Sequence, residues 1–225
     1  MRQHAQIDAA RTCLFDLDGV LIDSSASAAR HWGTIAAEYG LDLGALIARI
    51  PGRRAIDSVR EFIPTAPEAE IVAAAAAQER AALSDHDGVI ALPGARALLN
   101  ALGTTGWAVV TSSPRELATV RLQIAGLSRP PVLIAAEDVG AGKPDPEPYL
   151  AAAAQLGADP NACTVFEDAP AGILAARAAG MRIIALTTSH PASELPHGAE
   201  LTVPSLASVT IAGCARHDVG GTDGA

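Results

Sequence analysis

Short apolar runs that stop on polar residues alternate along most of this chain with stretches of helical period, and one span breaks that rule. The first run, Cys13, Leu14 and Phe15, has strand length and ends on Asp16, Asp18 and Gly19. Residues 20–22 continue apolar to Asp23 and predict a short flap before the next helix. Residues 24–87 then read as helix after helix, over 24–39, 43–50, 53–63 and 68–86, with stops at Gly40, Pro51-Gly52 and Pro64. One crossover between strands rarely needs four helices, so this span predicts a separate small helical domain.

From Pro93-Gly94 the alternation resumes. Strands are expected at 107–110, 132–135, 163–166, 182–186 and 200–203, with helices at 95–102, 114–125, 146–156 and 170–179. That alternation predicts an α/β fold, a parallel sheet with helices on both faces, formed by residues 1–23 and 88–215 around the 24–87 insertion. Residues 1–10 show no period and predict a loosely held leader, and the Gly-rich, polar 216–225 a disordered tail. In such sheets ligands sit outside the carboxyl ends of the strands. The polar residues that end the apolar runs fall there.

Composition narrows the picture. Hydrophobic residues make up 49% of the 225 but aromatic ones only 3%, so small aliphatic side chains must pack helices onto the sheet. A net charge of −9 and a pI near 5.0 argue against nucleic-acid or anionic-membrane partners, which are held through clustered Lys and Arg. Cys13, Cys163 and Cys214 are widely spaced, with no metal-ligand or disulfide pattern, and no apolar run has membrane-spanning length. The expectation is a soluble, cytoplasmic protein with a small-molecule substrate. The 16 basic residues are 15 Arg and a single Lys, Lys143.

Four groups at strand or loop ends can carry chemistry: Asp16 with Asp18; Thr111 with Ser112 and Ser113; Lys143; and Glu167 with Asp168. Crowded carboxylates need a cation, and an all-oxygen set suits Mg²⁺. Ser113-Pro114-Arg115-Glu116 has the spacing of a capping box, and a helix N-terminus beside the Thr111 and Ser112 hydroxyls is an anion site. Lys143 lies in a Gly- and Pro-rich turn, and a lone Lys in a chain that otherwise uses Arg suggests a compact point charge. An anion site, a cation, a fixed ammonium and two aspartates amount to phosphoryl transfer, with an Asp nucleophile and a second acid moving the proton.

FDLDGVLIDS, VVTSS, GKPDPEPYL and VFEDAPAGILAARAAG resemble, in order, the four motifs of the haloacid dehalogenase-like hydrolases, over residues 12–206. The resemblance implies a Rossmann-like core with residues 24–87 as a C1 cap. It implies Asp16 as nucleophile, Asp18 as general acid/base, Thr111 on the phosphoryl group and Lys143 neutralising charge. It also implies Mg²⁺ on Asp16, Asp168 and the Asp18 carbonyl, with Glu167 as a further ligand or a supporting acceptor.

Within that superfamily, Asp18 argues against a dehalogenase, and the lack of Lys in 24–90 excludes a phosphonatase-type Schiff base. A β-phosphoglucomutase-like enzyme is the alternative, but Ala28 and Ala55 stand where mutases of that type carry His and Arg. The chain more nearly resembles glycerol-phosphate and 2-deoxyglucose-6-phosphate phosphatases, which implies a Mg²⁺-dependent phosphatase for a small sugar or polyol phosphate. The cap segment GRRAIDSVREFIP then makes Arg54 the substrate-facing residue, although Pro51 stands where those enzymes tend to have His. Arg53 and Arg60 read as a solvated helix face, and His31 and Trp32 as cap packing. A catalytically silent binding protein on this fold is the third reading, and the intact set Asp16, Asp18, Thr111, Lys143 and Asp168 argues against it.

Overall fold

The computed structural model describes residues 4–8 and 10–212. In chain order the core begins with β1 (Ala5–Asp8), β2 (Thr12–Phe15) and β3 (Ile22–Asp23). Four helices follow: α1 (Ser25–Tyr39), α2 (Leu43–Ile47), α3 (Ala55–Phe62) and α4 (Glu68–Ser84). The chain then returns through β4 (Ile90–Ala91), α5 (Ala95–Leu102), β5 (Trp107–Val110), α6 (Arg115–Ile124) and β6 (Val132–Ile134). It ends with α7 (Glu147–Gln155), β7 (Cys163–Glu167), α8 (Pro170–Ala178), β8 (Arg182–Leu186), β9 (Leu201–Val203) and β10 (Val209–Ala212).

Six strands form one parallel sheet in the order β6-β5-β2-β7-β8-β9. The chain winds outward from β2 through β5 and β6, then crosses back to build β7, β8 and β9 on the other side. The order therefore reverses beside β2, and a crevice opens there above the strand ends.

Period-two alternation places Cys13 and Phe15 on one face with Trp107, Val109 and Phe166, under α5 and α6. Leu14 lies on the other face with Ala108, Val110 and Val165, under α7 and α8. Phe15 stacks on Phe166 with ring centroids 4.6 Å apart and meets Trp107 edge-on. Elsewhere small aliphatic side chains do the packing. Ala152, Ala153, Ala175 and Ala176 let α7 and α8 lie close on the sheet.

Two expectations are corrected. Residues 5–8 are no loose leader: β1 pairs in parallel with β10, with Ala5 and Ile7 buried against the core and Gln6 and Asp8 exposed. Residues 20–22 are no open flap, because Val20, Leu21 and Ile22 are fully buried. There β3 pairs antiparallel with β4, Ile22 opposite Ala91 and Asp23 opposite Ile90. This short ribbon is the stem through which the chain leaves the core and returns. The expected tail at 216–225 lies outside the described residues.

The four inserted helices carry a hydrophobic cluster of their own, which includes Trp32, Ile35, Leu46, Val59, Ile63 and Ile71. They form a small cap over the strand ends, and α4 packs against α6 of the core. Among the described residues no helix is long and apolar enough to cross a membrane.

Because Ile7 is fully buried between β10 and the core, Ile7→Ala should lower the unfolding free energy by about 2–4 kcal/mol in urea titration. A loose leader would give a change near zero.

Candidate active site

Where β2 ends, Asp16 continues the ladder, its N–H donating to Phe166 O at 3.0 Å, so its carboxylate is set at the reversal point by backbone pairing. Thr111 follows β5 and donates its N–H to Ile134 O at 2.9 Å, while its Oγ1 accepts from Ser113 N at 3.1 Å. Glu167 closes β7 and Asp168 follows it.

Lys143 comes in from the loop after β6 and is buried to 2% exposure. Its ammonium donates to Asp16 Oδ1 at 2.7 Å, to Glu167 Oε1 at 2.7 Å and to Val110 O at 3.1 Å, and lies 4.9 Å from the Tyr149 ring centroid. Burial by itself would lower the Lys143 pKa, but the Asp16 and Glu167 charges raise it above the ordinary lysine value. Asp16 moves the other way: burial pushes it up to about 7 although Lys143 pulls it down.

The two remaining acids differ in what surrounds them. Glu167 Oε1 also accepts from Tyr149 OH at 2.9 Å, and Oε2 accepts from the N–H groups of Asp168 and Ala169 at 2.9 and 3.1 Å. Both of its oxygens are engaged. Both Asp168 oxygens are buried without a hydrogen-bond partner, and burial, with the Glu167 and Asp16 charges, pushes its pKa well up. One oxygen from each of Asp16, Glu167 and Asp168 lies within 4.8 Å of the others.

When ionised, these three carboxylates exceed the Lys143 charge by two. An all-oxygen set with that deficit and two orphaned Asp168 atoms fits a divalent cation. The closeness depends on glycine: a Cβ on Gly172 would lie 1.6 Å from Glu167 Oε1, and one on Gly19, at φ +83°, 1.9 Å from Asp168 Oδ2.

Asp18 faces a cavity of about 420 Å³ between cap and core, whose lining includes Asp16, Thr111, Ser112 and Ser113. Its Oδ1 accepts from Ser24 Oγ at 2.5 Å and from Arg121 Nη1 at 2.7 Å, and its Oδ2 from Ser113 Oγ at 3.4 Å. Ser113 is therefore not a capping side chain. Helix α6 starts at Arg115 with Pro114 at its N-cap, and Glu137 of the core, rather than a capping box, accepts from Arg115 N. Ser112 Oγ is turned to the cap and donates to Gly52 O at 2.9 Å.

Arg54 is held by Asp57 at 2.7 Å and donates to Gly140 O at 3.2 Å, beside the cavity rather than in its lining, which includes Arg53. Arg121 was not singled out from the sequence. It reads locally as one more polar position on α6, and its contact with Asp18 joins residues 103 apart. His31 is buried, Gln78 meets its Nδ1 at 2.9 Å, and it lines the cavity as well as packing in the cap.

A family model described as haloacid dehalogenase-like hydrolase matches residues 10–180. The chain belongs to that family. It is 42% identical to hexitol phosphatase A of Escherichia coli over 200 residues, which cover 88% of this chain and 92% of the relative. It is 35% identical to glycerol-1-phosphate phosphohydrolase 2 of Saccharomyces cerevisiae over 212 residues, 89% of this chain and 84% of that one. Among solved structures a β-phosphoglucomutase from Clostridium difficile superposes with a TM-score of 0.76 at 25% identity, covering 88% of this chain and 92% of the other. As a haloacid dehalogenase-like hydrolase, the chain thus has phosphatases and a mutase among its relatives.

Lys143→Met would leave Asp16 and Glu167 facing each other in a dry site. It should lower stability by about 3–5 kcal/mol at neutral pH, measured by chemical denaturation without divalent cations.

Proposed function

We propose that this haloacid dehalogenase-like hydrolase is a Mg²⁺-dependent phosphatase that cleaves a small, neutral sugar or polyol phosphate through an aspartyl-phosphate. The observation that carries the reading is the placing of Asp16 at the sheet's reversal point, gripped by Lys143 through Oδ1 alone. Oδ2 is then the oxygen that attacks phosphorus. The Thr111 hydroxyl, oriented by Ser113 N, and the Ser112 backbone hold the phosphoryl oxygens, and Lys143 balances their charge. Asp18 protonates the departing alcohol, then takes a proton from the water that opens the aspartyl-phosphate.

Mg²⁺ would be held by Asp16, Asp168 and the Asp18 carbonyl, and when bound it offsets the negative charge of the carboxylates and phosphoryl group. Glu167, with both oxygens engaged, supports Lys143 and the turn into α8 rather than ligating the metal.

The cavity wall supports the substrate class. The guanidinium groups that line it, on Arg53 and Arg121, are already paired with Glu61 and Asp18. Gln78 and Glu79 of α4 offer acceptors, and Gln78 a donor, suited to hydroxyl groups. Hexitol and glycerol phosphates, named for the relatives above, are neutral beyond their phosphate.

A phosphomutase is the second reading, favoured by the structural likeness. It must hold a sugar carrying two phosphates. At the wall, Ala28 and Ala55 offer methyl groups where His and Arg would be needed. The charge balance and these two positions favour hydrolysis.

Asp16→Asn should abolish turnover of glycerol, hexitol and hexose phosphates, measured as phosphate release, and retained activity would rule the mechanism out. With β-glucose 1-phosphate and a bisphosphate activator, free phosphate should appear faster than glucose 6-phosphate. Mg²⁺ at a hundred times its Kd should raise the wild-type unfolding free energy by about 2.7 kcal/mol, and Asp168→Asn should remove most of that gain in thermal melts.

A further inference from the structure

Arg121 takes no part in the steps above. Its side chain is only 5% exposed, a degree of burial that Arg rarely tolerates unpaired. The cap covers it: α4 packs on α6, and His31 of α1 is pushed down to about 4 chiefly by burial and next by the Arg121 charge. Nη1 donates to Asp18 Oδ1 at 2.7 Å, while Nε is buried with no hydrogen-bond partner. A guanidinium meant for the distal end of a substrate would keep its fork free for the cavity. This one gives Nη1 to a core carboxylate.

The two oxygens of that carboxylate are not equivalent. Oδ1 receives Ser24 at 2.5 Å as well as Arg121, and Oδ2 has only the 3.4 Å approach of Ser113. We infer that Arg121 is a positioning residue for Asp18: with Ser24 it holds the carboxyl by Oδ1, fixes its rotamer at the cavity wall and leaves Oδ2 to exchange the proton with the substrate oxygen. An Asp side chain turns about two bonds, and a displacement near 1 Å at a reacting group can cost about 10²-fold in rate. Ser24 leads into the first cap helix and Arg121 lies beneath the fourth. The cap thus buries the Arg121 end of the pair, while the Asp18 carboxylate stays open to the cavity.

The inference rests on the reading of Asp18 as the proton-transferring group, and leaving-group dependence separates the two. A nitrophenolate departs without a proton, but an alkoxide needs one. Wild type, Asp18→Asn, Arg121→Lys and Arg121→Met are compared with Mg²⁺ on p-nitrophenyl phosphate and on the fastest alkyl phosphate of the panel above. The alkyl-to-aryl ratio of kcat/KM is taken within each preparation, so an unfolded fraction cancels. Asp18→Asn should lower the ratio by about 10²-fold. Arg121→Met should lower it about tenfold, with the loss in kcat for the alkyl ester, and Arg121→Lys should recover part of it.

A wild-type ratio in both Arg121 variants, beside a lowered one in Asp18→Asn, would overturn the inference alone. A loss carried wholly by KM for the alkyl ester would place Arg121 on the substrate and also overturn it. An unchanged ratio in Asp18→Asn would remove the reading of Asp18 and the inference with it.

Discussion

The Lys143 ammonium is the group on which the rest of the site depends. Three buried carboxylates at neighbouring strand ends repel one another, and water is not there to screen them. An ammonium has three N–H groups, and here three oxygens receive them: Asp16 Oδ1, Glu167 Oε1 and Val110 O. The contact ties the loop after β6 to β2, β5 and β7 at once. An Arg could not replace it, because a planar fork spreads its donors in one plane over a longer reach than this pocket allows. The chain uses Arg at all its other basic positions, and the exception follows from the geometry of this point.

What surrounds Lys143 explains features that look unrelated along the chain. Tyr149 of α7 presents its ring to the ammonium and its hydroxyl to Glu167, so the helix after the lysine loop is fixed to the same acid. Gly172 opens α8 to admit that acid, and Gly19 turns the chain beside Asp168. The cap is tied to the same rim. Ser112 reaches Gly52, Arg54 reaches Gly140 and His190 Nε2 reaches Ala48 O at 3.3 Å. Arg54 thus holds the cap to the loop that delivers Lys143.

Much of this was readable from local pattern. Each strand of the six-stranded sheet was marked by an apolar run, and Asp16, Thr111 and Asp168 follow three of them, because a parallel sheet aligns its carboxyl ends. The misreadings have physical causes. Ala5, Gln6, Ile7 and Asp8 do alternate, but the strand exists only because β10 lies beside it, and a single short turn of alternation is weak against a polar leader. Ser113 has capping spacing, yet Asp18 competes for its hydroxyl. Arg121 could not be read locally, since what defines it is a carboxylate on another strand end.

The resulting site divides two acids by environment rather than by type. Asp16 is buried at the floor of the cavity, its proton affinity raised by burial and opposed by the Lys143 ammonium. Asp18 lies two residues on, just before a turn in which Gly19 N donates to Ile22 O at 2.8 Å, and reaches the cavity wall. A dry oxygen and a wet one, held by different cations on different elements, can serve as nucleophile and proton carrier without exchanging roles. The lysine answers the buried acid from below, and the arginine meets the exposed one from under the cap.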